Sequence, residues 1–130
     1  MLKKFINFWK SDGQESFHTP SDVNIVFELS YKDLILGYLS VDNGEWKFYY
    51  SEEFKGQDSL LPLVDFPNKN KTYYSHELWP FFMSRIPGMG QPKVQEILKK
   101  ENIRENDEVS LLRLFGKRTI ANPYTLEPAL

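Results

Sequence analysis

Residues 23–52 read VNIVFELSYKDLILGYLSVDNGEWKFYYSE, and the fold turns on how that passage divides. It holds three runs, VNIVFELS, LILGYLSV and EWKFYYSE, each rich in β-branched or aromatic residues and bounded by turn signals, which is the pattern of strands. Residues 31–33 make a short connection between the first two. Asp42-Asn43-Gly44 supplies the Asn-Gly pair that suits a type I′ hairpin, whose two central positions both need positive φ. Three antiparallel strands in a meander follow. In the third, Trp46, Phe48 and Tyr50 alternate with Lys47 and Tyr49, so one face is buried and the other at least partly wet. Gly37 interrupts the second strand, where it marks a bulge or a tight bend of a curled sheet.

On the N-terminal side of the meander, residues 11–22 (SDGQESFHTPSD) are polar and turn-rich and read as a linker. They separate a tag, residues 1–10, from a domain spanning 23–130. The tag sets Phe5, Ile6, Phe8 and Trp9 among lysines; a helix of that length is marginal in water, so it either docks on something or frays.

On the C-terminal side, residues 57–71 (QDSLLPLVDFPNKNK) carry a short apolar run punctuated by proline, which suits an extended segment or edge strand with a loop better than a helix. The next stretch, 76–93, reads HELWPFFMSRIPGMGQPK and sets heavy aromatic bulk beside helix breakers. A helix over 76–86, capped by Ser75, would line up Leu78, Phe81, Phe82 and Arg85, with Glu77 favourable to the helix dipole. Pro87-Gly88 ends that helix, and Pro92 suits the first turn of a second one over 91–100, with Val94, Ile97 and Leu98 at core spacing. A third, over 107–115, takes Asn106 or Asp107 as cap, Gly116 as stop, and Val109, Leu111, Leu112 and Phe115 as its stripe. Residues 119–130 have room for one more strand and a tail. The expected class is α+β: a small curled antiparallel sheet, a partial barrel, packed with two to three short helices.

A chain of 130 residues is the size of one domain, and its 41% hydrophobic and 26% charged residues are ordinary for a globular protein. No window approaches the roughly 18 apolar residues of a membrane-spanning helix, and the tag is too short and interrupted for a signal peptide, so a cytoplasmic protein is expected. The absence of cysteine excludes disulfides, thiolate metal sites and a cysteine nucleophile. A net charge of −2 offers no global attraction for phosphates, and the short basic runs at 69–71 and 99–100 suit a solvated surface, so no direct nucleic-acid binding is expected.

Residues for catalysis are few. His18 and His76 stand apart without metal-ligand spacing or an acid partner, and Glu52-Glu53 on a strand would point to opposite faces. GMGQPK lacks the glycine spacing of a phosphate-binding P-loop, and Pro92 removes an amide donor, which leaves an inter-helix turn. Asp65-Phe66 precedes proline instead of the glycine of a kinase DFG motif, and no HRD catalytic loop is present. No catalytic residue, metal ligand or cofactor is therefore assigned.

The order of features is nevertheless specific. LILGYL at 34–39, Phe48 and Tyr50, a proline-rich passage, LWPFFMSRIPG at 78–88, a helix, LLRLFG at 111–116 and PYTLEP at 123–128 together resemble the N-terminal subdomain of HipA-type serine/threonine kinase toxins, over about 23–128. The family's aromatic helix is followed by a Leu-Leu-Pro-acidic-Gly turn. Here that turn reads Arg85-Ile86-Pro87-Gly88, without the acidic residue and with arginine for one leucine. In full-length toxins this subdomain precedes a kinase body that holds the nucleotide site. The resemblance implies a non-enzymatic, bacterial, HipS-like antitoxin of a tripartite HipBST-type toxin–antitoxin system, with a HipT/HipA-like kinase as partner and a HipB-like helix-turn-helix DNA-binding protein as a possible third member.

On this reading the partner-binding residues are Trp79, Pro80, Met83, Arg85 and Pro87. Trp79 falls about 200° from Phe81 on a helical wheel and either projects as a wedge into the kinase or joins the core. Two alternatives remain: a subunit that completes a split HipA kinase, and a small nucleic-acid-binding β-barrel that stacks bases on Tyr38, Tyr49 and Trp46.

Overall fold

A computed structural model describes residues 24–129; the tag and linker of 1–22 lie outside the described residues. The meander forms as its sequence requires. Strands β1 (Ile25–Tyr31), β2 (Leu34–Asp42) and β3 (Glu45–Tyr50) pair antiparallel in order. Asn43 and Gly44 turn the second hairpin with φ of 53° and 78°, the left-handed values of a type I′ turn. The first hairpin turns through Lys32-Asp33, with Lys32 at φ 55°.

Gly37 sits at the expected irregularity. Leu29 opposes Gly37 while Ser30 opposes Ile35, so Leu36 is the extra residue of a β-bulge. A Cβ on Gly37 would lie 2.5 Å from the Tyr49 carbonyl oxygen and 2.9 Å from the Phe48 ring. Any side chain there would push β2 away from β3.

Alternation along these strands sends Phe27, Leu29, Leu39, Val41, Trp46, Phe48 and Tyr50 to one buried face. The stacked Phe48 and Phe66 rings, 4.3 Å between centroids, lie at the heart of that core. On the opposite face the Tyr38 and Tyr49 rings sit 5.5 Å apart, with the Lys47 ammonium 5.4 Å from the Tyr49 ring.

Beyond β3 the chain departs from its expected course. Ser51 ends the strand and caps a single helical turn, α1 (Glu52–Lys55), by accepting the Phe54 N–H at 3.0 Å. Glu52 and Glu53 thus sit in a helical first turn, where carboxylates suit the dipole, and not on a strand. Residues 57–71 form a loop, and the edge strand comes after it, as β4 (Tyr73–Ser75) paired with β3.

The helix expected over 76–86 is reduced to one turn, α2 (Pro80–Met83). The cause is Pro80. A residue before proline is driven out of the helical region, and Trp79 is extended at φ −67° and ψ 151°. Ser75 still accepts the Glu77 N–H at 3.0 Å, but it closes a turn and starts no helix. The next two helices keep their expected places: α3 (Pro92–Glu101), with proline at its start, and α4 (Glu108–Phe115), capped by Asp107 on the Ser110 N–H. Asn102 ends α3 in the left-handed conformation.

The final strand, β5 (Thr125–Pro128), returns to pair with β1. The sheet order is β4-β3-β2-β1-β5, antiparallel throughout and open, because β4 and β5 occupy opposite edges. The class is α+β, a curled sheet that does not close into a barrel. Phe82, Val109 and Leu112 bring α2 and α4 onto the main core, while Val94, Leu98 and Leu111 join α3 to α4 in a smaller cluster. Ile86 touches both, which places the segment after α2 at their junction.

Candidate partner-binding site

The segment from Leu78 to Pro87 is held at both ends by side chains from elsewhere. At the front, α2 has an N-cap residue, Trp79, that offers no side-chain hydrogen bond. Asp65 fills the role from the preceding loop, its Oδ2 accepting the Phe81 N–H at 3.0 Å. Leu78 is buried, and Phe82 is wholly so. Between them the Trp79 indole stands edge-on to the Phe66 ring at 4.9 Å and 78° and remains half-buried. Trp79 thus packs against the core with most of its surface and leaves a smaller part exposed. Its angle on a helical wheel no longer applies, since it precedes the helix.

At the back, Arg85 is only 3% exposed, and its guanidinium is turned to groups of its own chain. Its Nη1 donates to the carbonyls of Gly116 at 2.8 Å and Lys117 at 3.2 Å. Nη2 donates to Asn122 Oδ1 at 2.9 Å and to the Tyr124 carbonyl at 2.7 Å. The guanidinium also lies 5.7 Å from the centre of the Phe81 ring. Its four acceptors are neutral, and burial lowers its pKa to about 10, still well above neutrality. A protonated arginine here cross-links α2 to the segment that carries the chain from α4 into β5. The spacing that aligns Arg85 with Leu78, Phe81 and Phe82 was the sign in the sequence of a buried role.

The other expected contact residues are placed differently. Pro80 is exposed, Met83 and Pro87 are half-buried, and Met83 packs against the core. Trp79, Pro80, Met83 and Pro87 thus lie along one short segment, and the buried Arg85 ties that segment to residues 116–124. The following GMGQPK run forms the turn into α3, where the Gln95 side chain donates to the Met89 carbonyl.

The lysine runs have local roles. The Lys69 ammonium donates to the Lys55 carbonyl at 2.9 Å, Lys71 lies 5.1 Å from the Tyr73 ring, and Lys99 and Lys100 sit in the last turn of α3, where cations suit the dipole. Of the three aromatics considered for base stacking, Trp46 is wholly buried. His76 is exposed just after β4, and His18 lies outside the described residues. Among the described residues no three His, Cys, Asp or Glu side chains cluster to hold a metal ion, and no helix is long and apolar enough to cross a membrane.

Two contributors had no clear signal in the sequence. Asp65 acts on a helix 16 residues away, and the Tyr50 hydroxyl, buried, accepts the Leu63 N–H at 2.8 Å and donates to the Phe66 carbonyl at 2.6 Å. Burial also pushes the Tyr50 pKa up to about 12.

A family model described as the HipA N-terminal domain matches residues 27–121. The chain belongs to that family. No curated protein matches it. The matched region of this HipA N-terminal domain begins in β1, takes in the whole Leu78–Pro87 corner with its Asp65 and Arg85 braces, and ends four residues before β5 begins.

Proposed function

We propose that this HipA N-terminal domain acts as a HipS-like antitoxin: a non-enzymatic protein that binds a HipT/HipA-type serine/threonine kinase and keeps it inactive. Docking runs through Trp79, Pro80, Met83 and Pro87. The observation that supports the reading is the state of Trp79, a large side chain that packs against Phe66 yet keeps part of its surface exposed just before Pro80. Tryptophan so placed loses little freedom on binding, and it is the residue type most enriched among interface hot spots. The mechanism is steric. The indole enters the kinase cleft and prevents its productive conformation, and Arg85 serves by holding the corner in shape.

Co-expression with a HipT/HipA-type kinase, scoring growth and pull-down together, tests the reading. Rescue of growth with a stable complex is expected for the wild type. Trp79→Ala should lose rescue and weaken binding by about 2 kcal/mol or more, with circular dichroism confirming a folded protein. Trp79→Phe keeps an aromatic edge for Phe66 and should fold as wild type while rescuing poorly. Unchanged rescue by both variants would remove the wedge. Greater toxicity on co-expression would instead make the chain the completing subunit of a split kinase.

A further inference from the structure

The sheet has two faces, and the helices are gathered on one of them. Phe54 of α1, Phe82 of α2, and Val109 and Leu112 of α4 join Phe27 and Phe48 in the main core. The composition of the other face follows from the strand register. One row across it is Val26, Ser40, Lys47 and Tyr74, on β1, β2, β3 and β4. The next is Glu127, Glu28, Tyr38 and Tyr49, on β5, β1, β2 and β3. Residues paired across neighbouring strands point to the same side, so both rows belong to one surface.

That surface is apolar in part and acidic in balance. Val26 is 41% exposed and Tyr74 61% exposed, while the Tyr38 and Tyr49 rings stand 5.5 Å apart. Glu28 and Glu127 are directly opposed, Asp42 opposes Glu45 at the end of the second hairpin, and Lys47 is the one cation among the strand residues. Like charges set opposite each other weaken a strand pair, so added cations would stabilise this face. Lys117 already reaches Glu127 at 3.5 Å.

The entry of the chain says what covers it. A groove of about 620 Å³ opens on this face, and its wall includes Val26, Ser40, Lys47, Tyr74 and also Asn24, the first described residue. The tag therefore joins the domain at the groove itself. Residues 1–10, MLKKFINFWK, set Phe5, Ile6, Phe8 and Trp9 among three lysines with no acid, which complements the face in both apolarity and charge. A flexible chain as long as residues 11–23 spans about 20 Å, and four strands cover about 15 Å, so the tag can reach either row. A tether of this kind holds its end at an effective concentration of about a millimolar, so a weak contact is enough to seat it.

We propose that residues 1–10 fold back as a strap over the outer face of their own sheet. Phe5, Ile6, Phe8 and Trp9 lie against Val26 and the tyrosines, and the tag lysines approach Glu28, Asp42 and Glu45. The strap withdraws Tyr38, Tyr49 and Tyr74 from other ligands, bases included. It is independent of the antitoxin reading and uses a different surface.

The chain has no cysteine, so Asn7→Cys in the full-length protein takes a nitroxide label at one place. Paramagnetic broadening of backbone amides then locates the tag. Amides of residues 26–28, 38–40 and 47–49 should lose intensity, while those of α3 and α4, behind the sheet, should keep theirs. The broadening should vanish when Phe5, Phe8 and Trp9 are all replaced by serine, and when Val26→Thr is combined with Tyr74→Thr. The face pair replaces exposed side chains and should melt near the wild type; if it does not, the tag triple decides. Broadening confined to residues next to Asn24, broadening of α3 and α4, or broadening that survives the tag triple would overturn the strap. Mixing labelled protein with unlabelled, nitrogen-15-enriched protein completes the test: broadening in the enriched copy would assign the tag to a second molecule and also overturn it.

Discussion

The meander and the loop-and-corner half, residues 57–91, are held by different means. In the meander every strand is tied to a neighbour by a backbone ladder, and the side chains have only to sort themselves between two faces. In the second half the regular elements are one turn of helix and a three-residue strand, and shape depends on single side chains that reach across the fold. Tyr50, Gln57, Asp65 and Arg85 each satisfy main-chain groups that no ladder serves. A ladder shares its load over many bonds. A clasp concentrates it, so one substitution can change the presented surface while the sheet survives.

The sharpest way to break this contrast is to strike the element common to both halves. Phe48 lies on β3 and contacts the rings of Tyr50, Phe66 and Phe82, so it joins sheet, loop and α2. Phe48→Ala should lose about 3–5 kcal/mol in denaturant unfolding. Both halves should unfold together, which a fluorescence and a circular dichroism transition at the same midpoint would show. Separate transitions would mean that the halves are independent.

Arg85→Met comes next. It keeps the aliphatic stem but strips donors from the carbonyls of Gly116, Lys117 and Tyr124. The expected loss is about 2–3 kcal/mol. Amide exchange should quicken in β5 and in the segment leading to it, while β2 and β3 keep their protection. Uniform loss of protection would argue that the arginine supports the whole fold and not one segment.

The smallest effect is expected from Tyr50→Phe, which removes the clasp on Leu63 and Phe66 while keeping the ring; it should cost about 1–2 kcal/mol at neutral pH. The sign of its pH dependence follows from the raised pKa. Tyr50 stays protonated in the folded protein up to about 12, whereas an unfolded tyrosine ionises from about 10. Between those values the folded state binds more protons, so the wild type loses stability as pH rises. Tyr50→Phe lacks that loss, and the gap between the two melting temperatures should narrow from pH 10 to pH 12. Arg85 works in the opposite sense over a similar range, since its folded pKa of about 10 lies below its unfolded value, but it is common to both proteins and cancels in the comparison. A constant gap would place the Tyr50 hydroxyl in water.

The same contrast governs what the residue string reveals. Asn43-Gly44, Gly37, Pro92 and Asp107 act on backbone within a few residues of themselves, and each does in the structure what its local chemistry demands. Alternation likewise separates Trp46, Phe48 and Tyr50 from Lys47 and Tyr49 without knowledge of any partner element. Even the shortening of α2 has a local cause, because the bias of Trp79 away from helix comes from its neighbour Pro80, which the apolar spacing of Leu78, Phe81 and Phe82 does not override.

Other features depended on residues far apart in the chain. Apolar spacing put Arg85 on a helix face, but only the arrival of 116–124 beside it turned that face into a buried cross-link. Nothing near Leu61 and Val64 says that they stay outside, since Leu63 and Phe66 between and beside them are buried; the division was made by Tyr50, held 13 residues from Leu63 in the sheet. The sequence by itself determined the meander, the α+β class and the family, because those signals are local or lie in the order of local motifs. The tertiary structure decided which side chains of the second half brace it and which face outward, because that choice is made by hydrogen bonds and ring contacts between segments that meet only when the chain folds.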